Sequence, residues 1–256
     1  QPFFLYLAHS MPHVPLYTSA DFEGVSRDGI YSDVISEIDW SVGQVISTLS
    51  QYGVRDNTLV FFLSDNGPWR SYGNHGGKTG GLRGGKFDVW EGGFRVPAIA
   101  SWPAQIPRGG TNNQVISTID ILPTFAHITG AKPAGREIDG INVTESLTGG
   151  TTDELDTRYF FYFLGSQVAA VRKSHWKYVF EHKGHEVIES GTDGENGKSN
   201  FSIQIDEALF DLRSDREESI NRIRSCPNHA STLKAAGLAF ARALEQQARP
   251  SGEDPP

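Results

Sequence analysis

The sequence predicts an α/β fold, and three observations carry that expectation. Thr58–Ser64 is an unbroken apolar run, which reads as a strand covered on both faces rather than as the alternating pattern of a half-exposed one. Before it, Ile30, Val34, Ile38, Val42, Val45, Ile46 and Leu49 recur at the spacing of an amphipathic helix. After it, beyond a glycine-rich stretch from Asp65 to Gly93, Arg95–Trp102 is apolar again. Helix and strand in alternation are the mark of a sheet flanked by helices.

Taken in order, the elements begin with Pro2–Ala8, an aromatic and aliphatic run that predicts a buried strand. Termini tend to be exposed, so a chain opening on such a strand is expected to be a piece of a longer one. The run is too short, and lacks the basic leader, to be a signal peptide. His9–Pro15 follows as a loop with two histidines and two prolines. The helix is expected from about Asp28 to Tyr52, with Glu37 and Asp39 on its polar face and Gly53 ending it. Pro97 marks Arg95–Trp102 as an edge strand or a strand start. Asp120 is expected to cap a short helix, Ile121–Thr129, that closes on Gly130.

Around Gly149–Thr152 the pattern changes. Tyr159–Phe163, Val168–Arg172, Trp176–Glu181 and Ala208–Leu212 predict a small antiparallel sheet, with a helix from about Ala230 to Gln247. The polar, glycine-rich segment His182–Asn200 is expected to be a long hairpin loop or a disordered excursion. This gives an α/β part over 1–150, a smaller α+β part over 151–250, and a tail over 251–256.

Composition excludes several classes of function. With 38% apolar and 11% aromatic residues the chain can form a core, so wholesale disorder is excluded. A net charge of −8 without a long basic cluster argues against a nucleic-acid partner. The single cysteine, Cys226, excludes an internal disulfide framework and a multi-thiolate zinc site. No apolar run approaches the ~20 residues of a membrane span.

Three places carry chemistry. Asp65-Asn66-Gly67 directly follows the predicted strand Thr58–Ser64, and strand carboxyl ends are where open α/β sheets bind ligands. A carboxylate beside an amide oxygen suits calcium or magnesium. The same tripeptide is also good turn chemistry, so a plain strand-ending turn is the alternative. His13, in its proline-framed loop, can hold or donate a proton near neutral pH, or simply be a surface histidine. Lys86 ends Leu82-Arg83-Gly84-Gly85-Lys86, where the glycines let backbone and ammonium approach an anion, although the spacing is not that of a P-loop.

The segments together resemble type I sulfatases, the arylsulfatase-like branch of the alkaline phosphatase superfamily. Pro2–Ala8 leading to His13-Val14-Pro15 resembles one recurrent stretch of that family. Phe61–Pro68, Leu82–Lys86, Trp90–Pro97 and Ser101-Trp102-Pro103 follow in the family's order. Thr118–Thr124, Asp139-Gly140 and Ala208–Asp215 extend the match over most of the chain. The resemblance implies part of an alkaline-phosphatase-like sheet flanked by helices, then a small antiparallel sheet plus helix subdomain. Residues 1–150 would be the C-terminal part of the catalytic domain.

Carried over residue by residue, the resemblance implies that Asp65 and Asn66 ligate a divalent ion, Ca2+ by family habit with Mg2+ possible. Lys86 would contact the sulfate oxygens, and His13 would bind sulfate and assist the leaving oxygen. His75 and Trp69 sit in the same loop, where surface packing is the favoured role and lining the substrate mouth the alternative. These roles suit the chemistry, because negative charge builds on the bridging oxygen as the S–O bond breaks. The family's nucleophile is a formylglycine made from a Cys-x-Pro-Ser-Arg type motif. Cys226, followed by Pro227-Asn228-His229, does not fit it. Formylglycine and the remaining metal ligands are therefore expected in a missing N-terminal half, and this piece alone is expected to be inactive. The implied substrate is a sulfated small molecule or glycan, in a periplasmic, lysosomal or secreted setting. The competing readings are a phosphonate or phosphate monoester hydrolase of the same superfamily and a non-catalytic metal-binding fragment. His13, Asp65, Asn66 and Lys86 are expected around one cleft.

Overall fold

A computed structural model describes residues 2–132 and 138–247, so the expected tail lies outside the described residues. The chain forms two compact units. One comprises residues up to Thr58, Leu63–Ala98 and Lys183–Gln204; the other comprises Leu59–Phe62, Ile99–His182 and the residues from Ile205 onward.

Helix α1 spans Ile30–Gln51 and buries Val34 and Leu49, while Asp39 is exposed, as the helical spacing predicts. Asp33 in its first turn accepts the N–H groups of Ser26 (2.7 Å) and Gly24 (3.0 Å), which fixes the entering loop. At the other end Gly53 adopts φ +67°, and the Val54 N–H reaches back to the Leu49 carbonyl. That left-handed residue turns the chain out of the helix. A 3-10 turn at Arg55–Asn57 leads to strand β1, Val60–Leu63; further 3-10 turns cover Arg70–His75. Helix α2 is Glu91–Phe94 and strand β2 is Ala98–Ser101, paired with β1. The predicted strand cores are therefore present, but β1 is only partly buried and Ile99 of β2 is exposed. A strand is buried on both faces only where layers pack on both sides of its sheet.

Pro2–Ala8 departs from its expectation. It forms no strand, and Phe3 to Leu7 are all exposed, Tyr6 by 81%. Apolar composition states what a segment needs, and among the described residues no strand pairs with this one.

A 3-10 turn at Thr118–Asp120 runs into α3, Ile121–Thr129, which ends at Gly130 with φ +70°. Asp120 does not cap α3 with its side chain, because its own backbone is already helical. Its fully buried carboxylate instead closes a box with Ser117, accepts the Ile141 N–H at 3.0 Å, and accepts from the two terminal guanidinium nitrogens of Arg158 at 2.8 and 2.5 Å. Two short helices, α4 (Thr144–Leu147) and α5 (Asp153–Thr157), precede the small sheet.

Strands β3 (Tyr159–Leu164), β4 (Gln167–Lys173) and β5 (Trp176–Val179) follow in succession, then β6 (His182–Glu189), β7 (Lys198–Ile205) and β8 (Ala208–Asp211). The order β3-β4-β5-β8 is antiparallel throughout, with Phe161 opposite Val171 and Tyr178 opposite Leu209. Helix α6, Pro227–Gln247, packs on this sheet through Ala230 and Leu233 against Val168, Val171, Tyr178 and Leu209. Phe240 of α6 stacks on Phe161 with ring centroids 3.8 Å apart. Beneath the sheet lies a fully buried ion pair, Lys177 to Glu218 at 2.9 Å, with the ammonium 4.2 Å from the Tyr162 ring. The segment His182–Asn200 is ordered for most of its length: β6 and β7 pair as a separate two-stranded ribbon. The hairpin expectation holds and the disordered alternative does not.

Two outcomes follow from the second unit. Arg158→Ala leaves the Asp120 carboxylate buried without its counter-charge, so urea denaturation should show a loss of about 3–5 kcal/mol; a loss below ~1 kcal/mol would mean that the pair holds nothing. Burial pushes Asp215 up, but the N–H groups of Ile220 and Ser219 and the Ser219 hydroxyl outweigh it and hold the carboxyl below the usual carboxylate range. A depressed folded value stabilises above the unfolded pKa of about 3.9, and that stability is lost as pH falls through the folded value. Asp215→Asn should therefore lower stability at pH 7 and flatten its decline in acid, as read from urea midpoints across pH 2–7.

Candidate functional site

The tripeptide after β1 is a turn and also presents unused oxygens. The Asn66 N–H donates to Asp65 Oδ1 at 2.9 Å, Asn66 Nδ2 donates to the Gly67 carbonyl at 2.9 Å, and the Ser64 hydroxyl donates to the Asn66 carbonyl at 3.1 Å. These bonds orient both side chains. They leave Asp65 Oδ2 and Asn66 Oδ1 without a hydrogen bond among the described residues, on an exposed and a half-buried residue respectively.

The Asp65–Arg70 loop is locked to the Arg83–Gly93 loop by backbone bonds. The Gly67 N–H donates to the Gly93 carbonyl at 2.9 Å, and the Lys86 N–H donates to the Pro68 carbonyl at 2.8 Å. Within the second loop the Gly92 N–H reaches the Arg83 carbonyl at 2.7 Å, and the Arg83 guanidinium lies 3.5 Å from the Trp90 ring. The approach is close enough to demand glycine: a Cβ on Gly67 would overlap the Gly92 carbonyl, and one on Gly85 would overlap the Pro68 carbonyl.

This frame presents Lys86, half-buried, to His13. Lys86 Nζ lies 3.0 Å from His13 Nε2, and His13 Nδ1 lies 2.7 Å from the Val14 carbonyl. A carbonyl can only accept, so Nδ1 carries the proton and Nε2 turns its lone pair to the ammonium. Trp69 joins them, its ring 5.6 Å from His13 and 4.8 Å from the ammonium. Phe87 lies edge-on to Trp69 at 5.4 Å. The result is an exposed imidazole and an ammonium side by side against an aromatic wall, which suits an anion that accepts from the ammonium and, once Nε2 is protonated, from the imidazole.

His13, Lys86 and Trp69 are thus in direct contact, and Asp65 and Asn66 are tied to them through the shared loop. His75 makes its neighbours elsewhere, beside Gly194, with its Nδ1 buried and without a hydrogen bond. Sequence reasoning passed over Phe87 and Asp88, next to Lys86, and over His185 in the segment read as a loop. Asp88 is buried, accepts the Gly85 N–H at 2.9 Å, and faces His185 Nδ1 at 3.3 Å. Burial pushes its carboxyl up, against the opposing pull of His185 and the Gly85 N–H.

Among the described residues no group of three or more His, Cys, Asp or Glu side chains could enclose a metal. Asp65 and Asn66 offer two hard oxygens, a donor set that fits part of a shell in which calcium takes 6–8.

The model of the Sulfatase family matches residues 1–131, and that of the C-terminal region of N-sulphoglucosamine sulphohydrolase matches residues 85–235. The chain is 41% identical to N-acetylgalactosamine-6-sulfatase of Canis lupus familiaris over 182 residues, covering 70% of this chain and 34% of that one. It is 34% identical to arylsulfatase A of Bos taurus over 229 residues, covering 88% and 45%. Among solved structures, the PsFucS1 sulfatase from Pseudoalteromonas sp. superimposes with a TM-score of 0.78 at 25% identity, over 91% of this chain and 46% of that one. The chain therefore spans less than half the length of these relatives.

The glycine contact gives a paired test of opposite sign. Gly67→Ala should cost about 1–3 kcal/mol or more through backbone overlap. Gly43→Ala, in α1 with open space around its Cα, should stabilise by up to ~1 kcal/mol. Thermal denaturation of both variants decides, and equal effects would show that the two loops do not meet closely.

Proposed function

The chain belongs to the sulfatase family, and on that premise we propose that it supplies the anion-holding side of a sulfuric ester hydrolase site. The observation that carries this reading is the 3.0 Å approach of Lys86 Nζ to His13 Nε2 on a loop frame shared with Asp65 and Asn66.

In hydrolysis of R–O–SO3−, the bond between sulfur and the bridging oxygen breaks, an oxygen from water ends on sulfur, and the alcohol leaves with a proton. Negative charge grows on the bridging oxygen, so a cation and a proton donor belong there. Lys86 would direct its ammonium at the sulfate oxygens. His13 Nε2 is the atom at which a proton would be held for the departing alcohol, while the Nδ1–H bond to the Val14 carbonyl keeps the ring oriented. Trp69 and Phe87 limit water around the ammonium and so strengthen its field. Asp65 Oδ2 and Asn66 Oδ1 would hold a divalent ion, Ca2+ or Mg2+, which when bound neutralises sulfate charge. Formylglycine would come from a part of the protein outside this sequence. Residues 1–150 are read as belonging to the catalytic domain and 151–250 as a smaller subdomain. The substrate class is a sulfated small molecule or glycan, met in a periplasmic, lysosomal or secreted compartment; none of the described helices is long and apolar enough to cross a membrane.

The full-length protein should hydrolyse an aryl sulfate faster than an aryl phosphonate ester. Lys86→Ala should lower kcat/KM by on the order of 100-fold or more, and Asp65→Ala should remove the dependence on added divalent ion. Lys86→Ala turnover within a few-fold of wild type would remove Lys86 from the site, and preference for the phosphonate would replace the sulfatase reading.

A further inference from the structure

We propose that Asp88 and His185 form a positioning pair that holds the Gly85–Phe87 turn and thereby aims the Lys86 ammonium; this rests on the sulfatase reading of Lys86. The two residues are 97 apart in sequence, and their side chains are only 6% and 4% exposed. Asp88 uses both carboxylate oxygens. One accepts the Gly85 N–H at 2.9 Å, and the other faces His185 Nδ1 at 3.3 Å. Lys86 and Phe87 are the two residues enclosed between Gly85 and Asp88, so fixing that turn fixes where the lysine starts.

The turn would not hold this shape unaided. Phe87 adopts φ +77°, a conformation that a bulky side chain keeps only when its surroundings over-determine it. Its ring is held edge-on by Trp69 at 5.4 Å, Phe201 at 5.8 Å and His185 at 6.0 Å. Phe201 also packs on the His185 ring, with centroids 4.5 Å apart. His185 Nε2 is buried without a hydrogen-bond partner. Packing alone would be served better by phenylalanine, which buries no polar atom, so the bond from Nδ1 to Asp88 is what a histidine adds here.

The ribbon that carries His185 is itself anchored. The Ser71 carbonyl accepts the N–H groups of Gly191 (2.8 Å) and Gly197 (2.9 Å), and the Ser71 hydroxyl donates to Asn196 at 2.6 Å. Asn74 donates to the Asp193 carboxylate and accepts the Asp193 N–H, both at 2.9 Å. The β6–β7 ribbon thus sits on the turns that follow Trp69 and holds His185 against Asp88.

The test is a double-mutant cycle in the full-length enzyme, read as kcat/KM for an aryl sulfate and as affinity for inorganic sulfate by calorimetry. His185→Phe keeps the volume and removes the donor, and should lower both quantities about tenfold or more, since small misplacements of a reacting group carry losses of that order. His185→Asn, which restores a side-chain N–H, should recover most of the loss. In a Lys86→Ala background His185→Phe should add less than about threefold, because its target is already gone. An undiminished tenfold loss in that background, or single-variant values within twofold of wild type, overturns the proposal. Should His185→Phe fail to fold by circular dichroism, Asp88→Asn, whose single amide oxygen can no longer accept from both the Gly85 N–H and His185, takes its place in the cycle, and the same two results would overturn the proposal. A wild-type enzyme that neither cleaves the sulfate ester nor binds sulfate overturns the sulfatase reading and this proposal together. An active wild type with an additive cycle overturns the positioning pair alone.

Discussion

The site depends on how closely two stretches of backbone approach. The Gly67 N–H to Gly93 carbonyl and Lys86 N–H to Pro68 carbonyl bonds join loops that meet only because residues 67 and 85 carry no side chain. Backbone bonds are short and directional, so they set positions more tightly than flexible side chains do. Asp65 and Asn66 occupy one part of this frame and Lys86 another. The glycine-rich character of the stretch from Asp65 to Gly93 is therefore in part a packing requirement.

On that frame the charged groups are held before any ligand arrives. The Lys86 ammonium lies 4.8 Å from the Trp69 ring and 5.7 Å from the Phe87 ring, contacts worth roughly 0.5–2 kcal/mol each. The His13 ring is tethered through Nδ1 to the carbonyl of its own neighbour. An entering oxyanion would exchange the contact between the ammonium and Nε2 for contacts with itself, with little movement of either side chain. Preorganisation of this kind keeps reorganisation small when charge develops.

Much of this was legible in the sequence, for physical reasons that can be named. The spacing of Ile30 to Leu49 and the stop at Gly53 gave α1 to within two residues at each end, because periodicity and a left-handed glycine are local properties. The Asp65-Asn66-Gly67 segment supports two readings, turn and ligand pair; the turn is formed, and its hydrogen bonds leave Asp65 Oδ2 and Asn66 Oδ1 for the proposed ligand role. The ribbon was harder to read. In β6 the sequence HKGHEVIE lacks clean apolar alternation, the alternation of β7 at Phe201, Ile203 and Ile205 lies beyond Asn200, and the connecting turn is held by tertiary hydrogen bonds from Ser71 and Asn74. Asp88 and His185 belong together only through a tertiary contact that no local pattern announces. Pro2–Ala8 shows the converse: its apolarity is real, but burial depends on neighbours that a local reading cannot supply.

A crystal structure of the full-length protein with inorganic sulfate and calcium tests the proposed anion site most directly. The sulfate should lie within about 3 Å of both Lys86 Nζ and His13 Nε2, with a divalent ion on the oxygens of Asp65 and Asn66. A sulfate bound elsewhere, with Lys86 and His13 still in mutual contact and the Asp65–Asn66 turn bare, would contradict it.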